Sequence, residues 1–121
     1  MRRAGFGASR GELESLVELG YEQTVEKLLR PEELPAPDEY MLYRYHPGSE
    51  MAGGASGPGQ IHWLYHMVTT QRPLQEKMVL FWHHVFATGN GKVDNCNHLI
   101  DQLQMFRDCG MGNYRELLTR L

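Results

Sequence analysis

Two ionisable residues near the middle of this 121-residue chain have a spacing that could support chemistry. Glu76 and His83 are seven residues apart, which on one α-helix places them on the same side and about 10 Å from each other along the axis. At that separation a carboxylate and an imidazole could bracket a ligand, act as base and acid, or bind a metal. The alternative, which we favour, is helix electrostatics: Glu76 lies in the first predicted turn and His83 near the last, where the helix dipole stabilises each charge by roughly 0.3–1 kcal/mol.

A second pair, His62 and His66, lies at positions i and i+4, so both imidazoles project from one face of a helix. Two histidines in this arrangement can supply two ligands of a Zn²⁺ site. The metalloprotease motif places a glutamate directly after the first histidine, whereas Trp63 follows His62 here. Two interpretations remain, a metal site that uses His62 and His66 or a partly exposed polar face, and we favour the second.

Arg2 and Arg3 precede the glycines of Gly5-Phe6-Gly7, which could cradle a phosphate at the amino end of the first helix. No strand pattern precedes these glycines, as a dinucleotide-binding fold requires. No Lys-Ser/Thr pair follows the later glycine-rich stretch, so the phosphate-loop pattern is absent as well. We therefore predict no bound cofactor, and we expect a tight turn that brings Phe6 into the core.

Two further sets of residues are expected to be structural. Trp82 could stack on a ligand beside His83, but it lies on an apolar helical stripe, which favours core packing. Arg107, Asn113 and Arg115 flank a glycine break between two predicted helices. A polar cluster there could bind an anion, but such residues more often cap helix ends.

Helices must position all of these side chains. A capping box of Ser9 and Glu12 predicts the start of the first helix, Gly20 its end, and a second helix follows over 21–29. The apolar stripes of four more helices are Ile61, Leu64, Tyr65 and Val68; Leu74, Met78, Phe81, Trp82 and Val85; Cys96, Leu99, Ile100, Leu103 and Phe106; and Tyr114, Leu117, Leu118 and Leu121. No segment alternates as a strand does, so the sequence predicts an all-α, irregular bundle of about six short helices.

The chain divides into a helical hairpin over 1–30, a loop over about 31–59 and a helical core over 60–121. The loop contains five prolines and, between residues 48 and 59, five glycines. Its distal end is predicted to be disordered. The apolar run 40–45 interrupts the loop and is expected to dock on a neighbouring surface. The helix over 73–86 is apolar on most sides, so we predict that it is the central element.

Composition excludes several classes of protein. The net charge is −3, with 12 basic and 15 acidic residues, which gives no general attraction for nucleic acid. No apolar run approaches the roughly 20 residues of a membrane-spanning helix. Cys96 and Cys109 lie about 20 Å apart if they share one helix, which excludes a disulfide between them and leaves free thiols.

Three stretches of the sequence together resemble a known family. They are RRAGFGA at 2–8, PLQEKMVLFWHHVFAT at 73–88 and MGNYRELL at 111–118. They are similar to the amino-terminal part of the large bacterial family of unknown function numbered 1800, and the likeness runs over nearly the whole chain. Many members have His-x-His before the phenylalanine of the central motif, whereas this chain has His83-His84-Val85. The second imidazole is therefore shifted or lost.

The resemblance also implies a domain extent, a cellular location and a protein partner. Family members are several times longer and have carboxy-terminal signatures that are absent here, so we expect a partial, amino-terminal domain over 1–121. Their frequent export signals imply an extracytoplasmic location, although the first residues here have no apolar signal-peptide core. Members are often encoded beside a sulfatase-like exported family, which implies a protein partner by association.

The sequence thus predicts an uncharacterised helical protein that serves as a scaffold or interaction module of an exported bacterial protein. The alternative is one wall of a hydrolase-like or metal-assisted site that uses Glu76 and His83. The last stripe ends at Leu121, and the central helix has apolar residues outside its main stripe. We therefore expect homo-oligomerisation or marginal stability, because apolar surface would remain uncovered.

Overall fold

The computed structural model describes residues 2–45, 56–89, 91, 93 and 97–121, and every regular element in them is helical. The α-helices are α1 (Arg10–Leu19), α2 (Tyr21–Leu29), α3 (Glu39–Tyr45), α4 (Ser56–Thr69), α5 (Pro73–Val85), α6 (Asn97–Cys109) and α7 (Tyr114–Arg120). The predicted all-α class is confirmed, with seven helices in the described part rather than about six. None of these helices is long and apolar enough to cross a membrane.

The amino-terminal hairpin forms as its capping residues predict. The Glu12 amide donates to Ser9 Oγ at 3.3 Å, and the Ser9 amide donates to Glu12 Oε2 at 2.6 Å, which completes a capping box. Gly20, with φ of 86°, ends α1, and its amide donates to the Leu16 carbonyl. Thr24 Oγ1 donates to the same carbonyl at 3.1 Å and thereby ties α2 to α1.

The prediction of a continuous loop over 31–59 needs correction, because much of the described part of this segment is helical. A 3-10 turn spans Pro31–Glu33, α3 follows, and α4 begins at Ser56 instead of near residue 60. Burial of Leu42, only 2% exposed, stabilises α3. The expected docking of the run 40–45 thus holds for Leu42, whereas Tyr40, Met41 and Tyr45 are exposed. The predicted disorder at the distal end of the loop is wrong for 56–59, which belong to α4, and the rest of that end lies outside the described part of the chain.

The core forms around α5, which contacts α2, α4 and α6. The buried residues of this core are Val79, Leu103, Phe106, Cys109 and Leu117. The Trp82 ring lies beside those of Phe86 and Tyr114, with centroids 5.8 Å apart in each pair, and its Nε1 donates to the Gly110 carbonyl at 2.6 Å. Trp82 is therefore a packing residue, as predicted. The Cys109 thiol is free and buried, while Cys96 lies outside the described residues.

The buried face of α4 is not the predicted one. Ile61, Leu64 and Val68 are 41%, 60% and 83% exposed, although their spacing predicts a buried stripe. The face that turns inward carries His66, which is 6% exposed. The apolar stripe predicts an amphipathic helix correctly, but helix periodicity does not specify which neighbour covers which face.

A similar correction applies to α5. Phe81 and Val85 of the predicted stripe are half exposed, whereas Glu76 and Val79 are fully buried. The helix turns this face toward α6 because Glu76 finds a charged partner there. Three residues of the last predicted stripe are also substantially exposed: Tyr114, Leu118 and Leu121.

Candidate functional site: a polar network among four helices

The first half of the network joins α3 to α4. Glu39 is the first residue of α3, and its Oε1 lies 3.4 Å from His62 Nε2 and 3.2 Å from His66 Nε2. The two imidazoles are one helical turn apart on α4, with ring centroids 4.6 Å apart. Tyr43, one turn along α3, donates its hydroxyl to Glu39 Oε2 at 2.9 Å. Each carboxylate oxygen of Glu39 thus has a polar contact with at least one neighbouring side chain.

The second half joins α5 to α6 through an ion pair. Arg107 Nε donates to Glu76 Oε1 at 2.5 Å, and Arg107 Nη2 donates to Glu76 Oε2 at 3.4 Å. Glu76 and Arg107 are 2% and 8% exposed. The backbone of Arg107 takes part as well, since its carbonyl accepts from Gln75 Nε2 at 3.0 Å. A charged pair can be buried in this way because each charge satisfies the other.

His66 connects the two halves. Its Nε2 faces Glu39, and its Nδ1 lies 3.8 Å from Glu76 Oε1. This Nδ1 is buried and has no hydrogen-bond partner among the described residues. Glu39, His66, Glu76 and Arg107 therefore form a continuous series of polar groups across four helices.

The surroundings shift the protonation equilibria of this network. Burial raises the pKa of the Glu76 carboxyl, but the nearby His66 and the hydrogen bonds and charge of Arg107 outweigh it, so the pKa lies below its usual 4.5. Burial likewise raises the pKa of Glu39, and the Tyr43 hydroxyl together with the two histidines lowers it overall. Burial and the neighbouring His66 lower the pKa of His62 below 6.5. The network therefore holds two carboxylates beside a neutral His62 near pH 7.

In the described part of the chain, Glu76 and His83 contact different partners. His83 packs edge-on against Trp63 of α4, with ring centroids 4.9 Å apart. Its Nδ1 is buried and finds no hydrogen-bond partner in the described part of the chain. A cleft of about 750 Å³ lies between the amino-terminal hairpin and the turn from α4 to α5, and neither Glu76 nor His83 lines it.

The other residues considered as binding candidates cap a helix or lie on the surface. Asn113 Oδ1 accepts from the Arg115 amide at 2.9 Å and caps α7, as predicted. Arg2 and Arg3 are exposed. Phe6 is 41% exposed and lies against the Lys77 ammonium instead of entering the core, which corrects our expectation for that turn.

Sequence reasoning found His62, His66 and Glu76, but it missed Glu39 and the role of Arg107. Glu39 comes from a segment predicted to be a loop, 27 positions before His66. Arg107 was expected to cap a helix end, and it instead pairs with a residue 31 positions away. A buried glutamate on a helix predicts that some cation must accompany it, but the sequence does not say which one.

The fold and this network define the class of the molecule, an all-α bundle with polar and ionisable side chains buried between its helices. Over residues 1–121 the chain matches the family described as a protein of unknown function, DUF1800, and it belongs to that family. The sequence resemblance is thereby confirmed. No curated protein and no solved structure matches the chain.

Proposed function

We propose that this chain is a helical scaffold and interaction module in which Glu76 and His83 organise helix packing. The observation that carries the proposal is that the two side chains contact different helices. Glu76 pairs with Arg107 of α6, and His83 packs against Trp63 of α4. Residues used in this way fix the angles between helices and leave the outer faces free to bind.

The exposed apolar stripe of α4 is the proposed interaction surface. Ile61, Leu64 and Val68 lie at i, i+3 and i+7, so they form one row about 10 Å long on the outer side of the helix. The same stripe on a second copy of the chain is a suitable partner, since two identical helices can pack through a self-complementary, two-fold interface. We therefore propose homo-oligomerisation through α4.

Sedimentation of the full chain tests this proposal. The wild type should sediment as a dimer or larger species, and Leu64→Glu should shift it to the monomer because a charge then faces the apolar stripe of the partner. Val17→Glu is the matched control, since Val17 is 80% exposed on α1 and is not part of the α4 stripe. A monomeric wild type, or equal behaviour of the two variants, would contradict the role of α4.

The hydrolase-like alternative has less support in this geometry. The Glu76 carboxylate is occupied by Arg107, so it is not available to accept a proton from a substrate without breaking the ion pair. A metabolite-binding screen with Glu76→Gln and His83→Ala separates the alternatives. Loss of a specific ligand in both variants would favour the enzyme.

The family resemblance extends the scaffold proposal to an extracytoplasmic setting. The candidate partners are the carboxy-terminal part of the longer family members and the exported sulfatase-like proteins. Co-purification of this chain with such a protein from a periplasmic fraction tests that association, with Leu64→Glu as the variant expected to weaken it.

A further inference from the structure

Three side chains of the network direct one donor atom each toward a common point. Glu39, His62 and His66 each offer one ligand atom, and these atoms all lie within 4.8 Å of one another. The two distances from the carboxylate oxygen are 3.4 Å and 3.2 Å. Donors that surround a tetrahedral Zn²⁺ at about 2.0–2.1 Å are about 3.3–3.4 Å apart. The two distances from the carboxylate oxygen are thus close to those between donors in a coordination sphere.

The two imidazoles of the cluster share one carboxylate oxygen. Both histidines direct Nε2 at the same oxygen, Glu39 Oε1, while Tyr43 donates to the other oxygen. A metal ion would use both imidazole lone pairs and the carboxylate oxygen at once.

A second observation comes from the far side of His66. This residue is 6% exposed, and its Nδ1 has no hydrogen-bond partner in the described part of the chain. Glu76 Oε1 lies 3.8 Å from that nitrogen and is held in place by Arg107. Histidines that bind metal through one nitrogen commonly donate the other N–H to a carboxylate, which orients the ring. Glu76 is the carboxylate that faces this nitrogen, at 3.8 Å, which is longer than a hydrogen bond.

We infer that Glu39, His62 and His66 form a binding site for a divalent transition metal ion, with Zn²⁺ the ion that the donor set fits best. Two imidazole nitrogens and one carboxylate oxygen suit zinc, whereas Ca²⁺ and Mg²⁺ prefer oxygen ligands alone. The ion would link the first turn of α3 to the middle of α4. Three donors leave a tetrahedral ion with one further ligand to acquire.

Calorimetry on the full chain, freed of any affinity tag and treated with a chelator, tests this inference. We expect Zn²⁺ to bind with a 1:1 stoichiometry and a Kd below about 1 μM. Glu39→Gln and His62→Gln should each weaken binding by at least about 100-fold, more than loss of an outer partner does. His98→Gln is the matched control, since His98 is 72% exposed and lies outside the cluster.

Two further measurements keep the inference testable if a variant is destabilised. The wild type loaded with Co²⁺ should give the intense visible absorption of a tetrahedral ion, and Mg²⁺ should not compete. Glu76→Gln should weaken Zn²⁺ binding by about 10–100-fold if Glu76 orients His66. Absence of heat with about 100 μM Zn²⁺ would overturn the site. Unchanged affinity in both Glu39→Gln and His62→Gln would show that the ion binds elsewhere.

Discussion

Glu76 and Arg107 form an ion pair in the interior of the bundle, with Arg107 Nε 2.5 Å from Glu76 Oε1. The pair joins α5 to α6, the two helices that supply most of the buried apolar core. Neither charge is accessible enough for water to replace its partner. The pair therefore makes this helix contact specific, since any arrangement that separates the two side chains leaves a charge buried alone.

Removing one member of this pair should strongly destabilise the chain. We expect Glu76→Gln to lower the free energy of unfolding by about 3–5 kcal/mol, because the Arg107 guanidinium stays buried without its carboxylate. Urea denaturation followed by circular dichroism measures the change. The double variant Glu76→Gln/Arg107→Gln should recover part of the loss, because it leaves no uncompensated charge. A loss below about 1 kcal/mol in Glu76→Gln would mean that water reaches the pair.

The lowered pKa of Glu76 predicts acid sensitivity. Its folded pKa lies below the usual 4.5, so the unfolded chain binds the proton first as the pH falls. The stabilisation is present above pH 4.5 and is lost as the pH falls through the folded pKa. Urea midpoints of the metal-free chain in EDTA, measured from pH 7 to pH 3, should fall more steeply in the wild type than in Glu76→Gln. Glu116→Gln, at an exposed site, should retain the wild-type slope.

Gly110 is a position where any side chain should disrupt the core. A Cβ there would lie 2.3 Å from the Phe106 carbonyl oxygen and 2.8 Å from Trp82 Cδ1. We expect Gly110→Ala to cost about 1–3 kcal/mol, because either the Trp82 ring or the end of α6 must shift. In Gly89→Ala the new Cβ would have no described neighbour within 4 Å, so its thermal midpoint should stay near that of the wild type. Equal thermal midpoints for the two variants would show that the carboxy-terminal end of α6 can shift without a loss of stability.

Local features of the fold could be predicted from the sequence because their causes are local. The capping box of Ser9 and Glu12, the stop at Gly20 and the cap at Asn113 each involve residues within a few positions of one another. The segment containing α3 was misassigned for the opposite reason. Its prolines and short length suggest a loop, whereas tertiary burial of Leu42 stabilises the helix.

Only part of the candidate site could be predicted from the sequence, because the rest depends on tertiary packing. The spacing of His62 and His66 is visible along the chain, but their convergence on Glu39 depends on how α3 docks against α4. The sequence predicts that the apolar stripe of α4 is buried, because apolar residues usually lie in the core. Here the inner face is polar, since the ionisable groups find their partners inside the bundle.

His83 offers the clearest contrast with Glu76. Its Nδ1 is buried without a hydrogen-bond partner among the described residues, and its ring lies edge-on to Trp63. We expect His83→Phe to preserve or raise the free energy of unfolding, because phenylalanine keeps an aromatic edge against Trp63 and removes a polar atom whose burial costs about 1–3 kcal/mol. Thermal melts of this variant beside His84→Phe, at an exposed neighbouring position, measure the effect. A large loss of stability specific to His83→Phe would show that the imidazole has a polar partner and that His83 does more than pack.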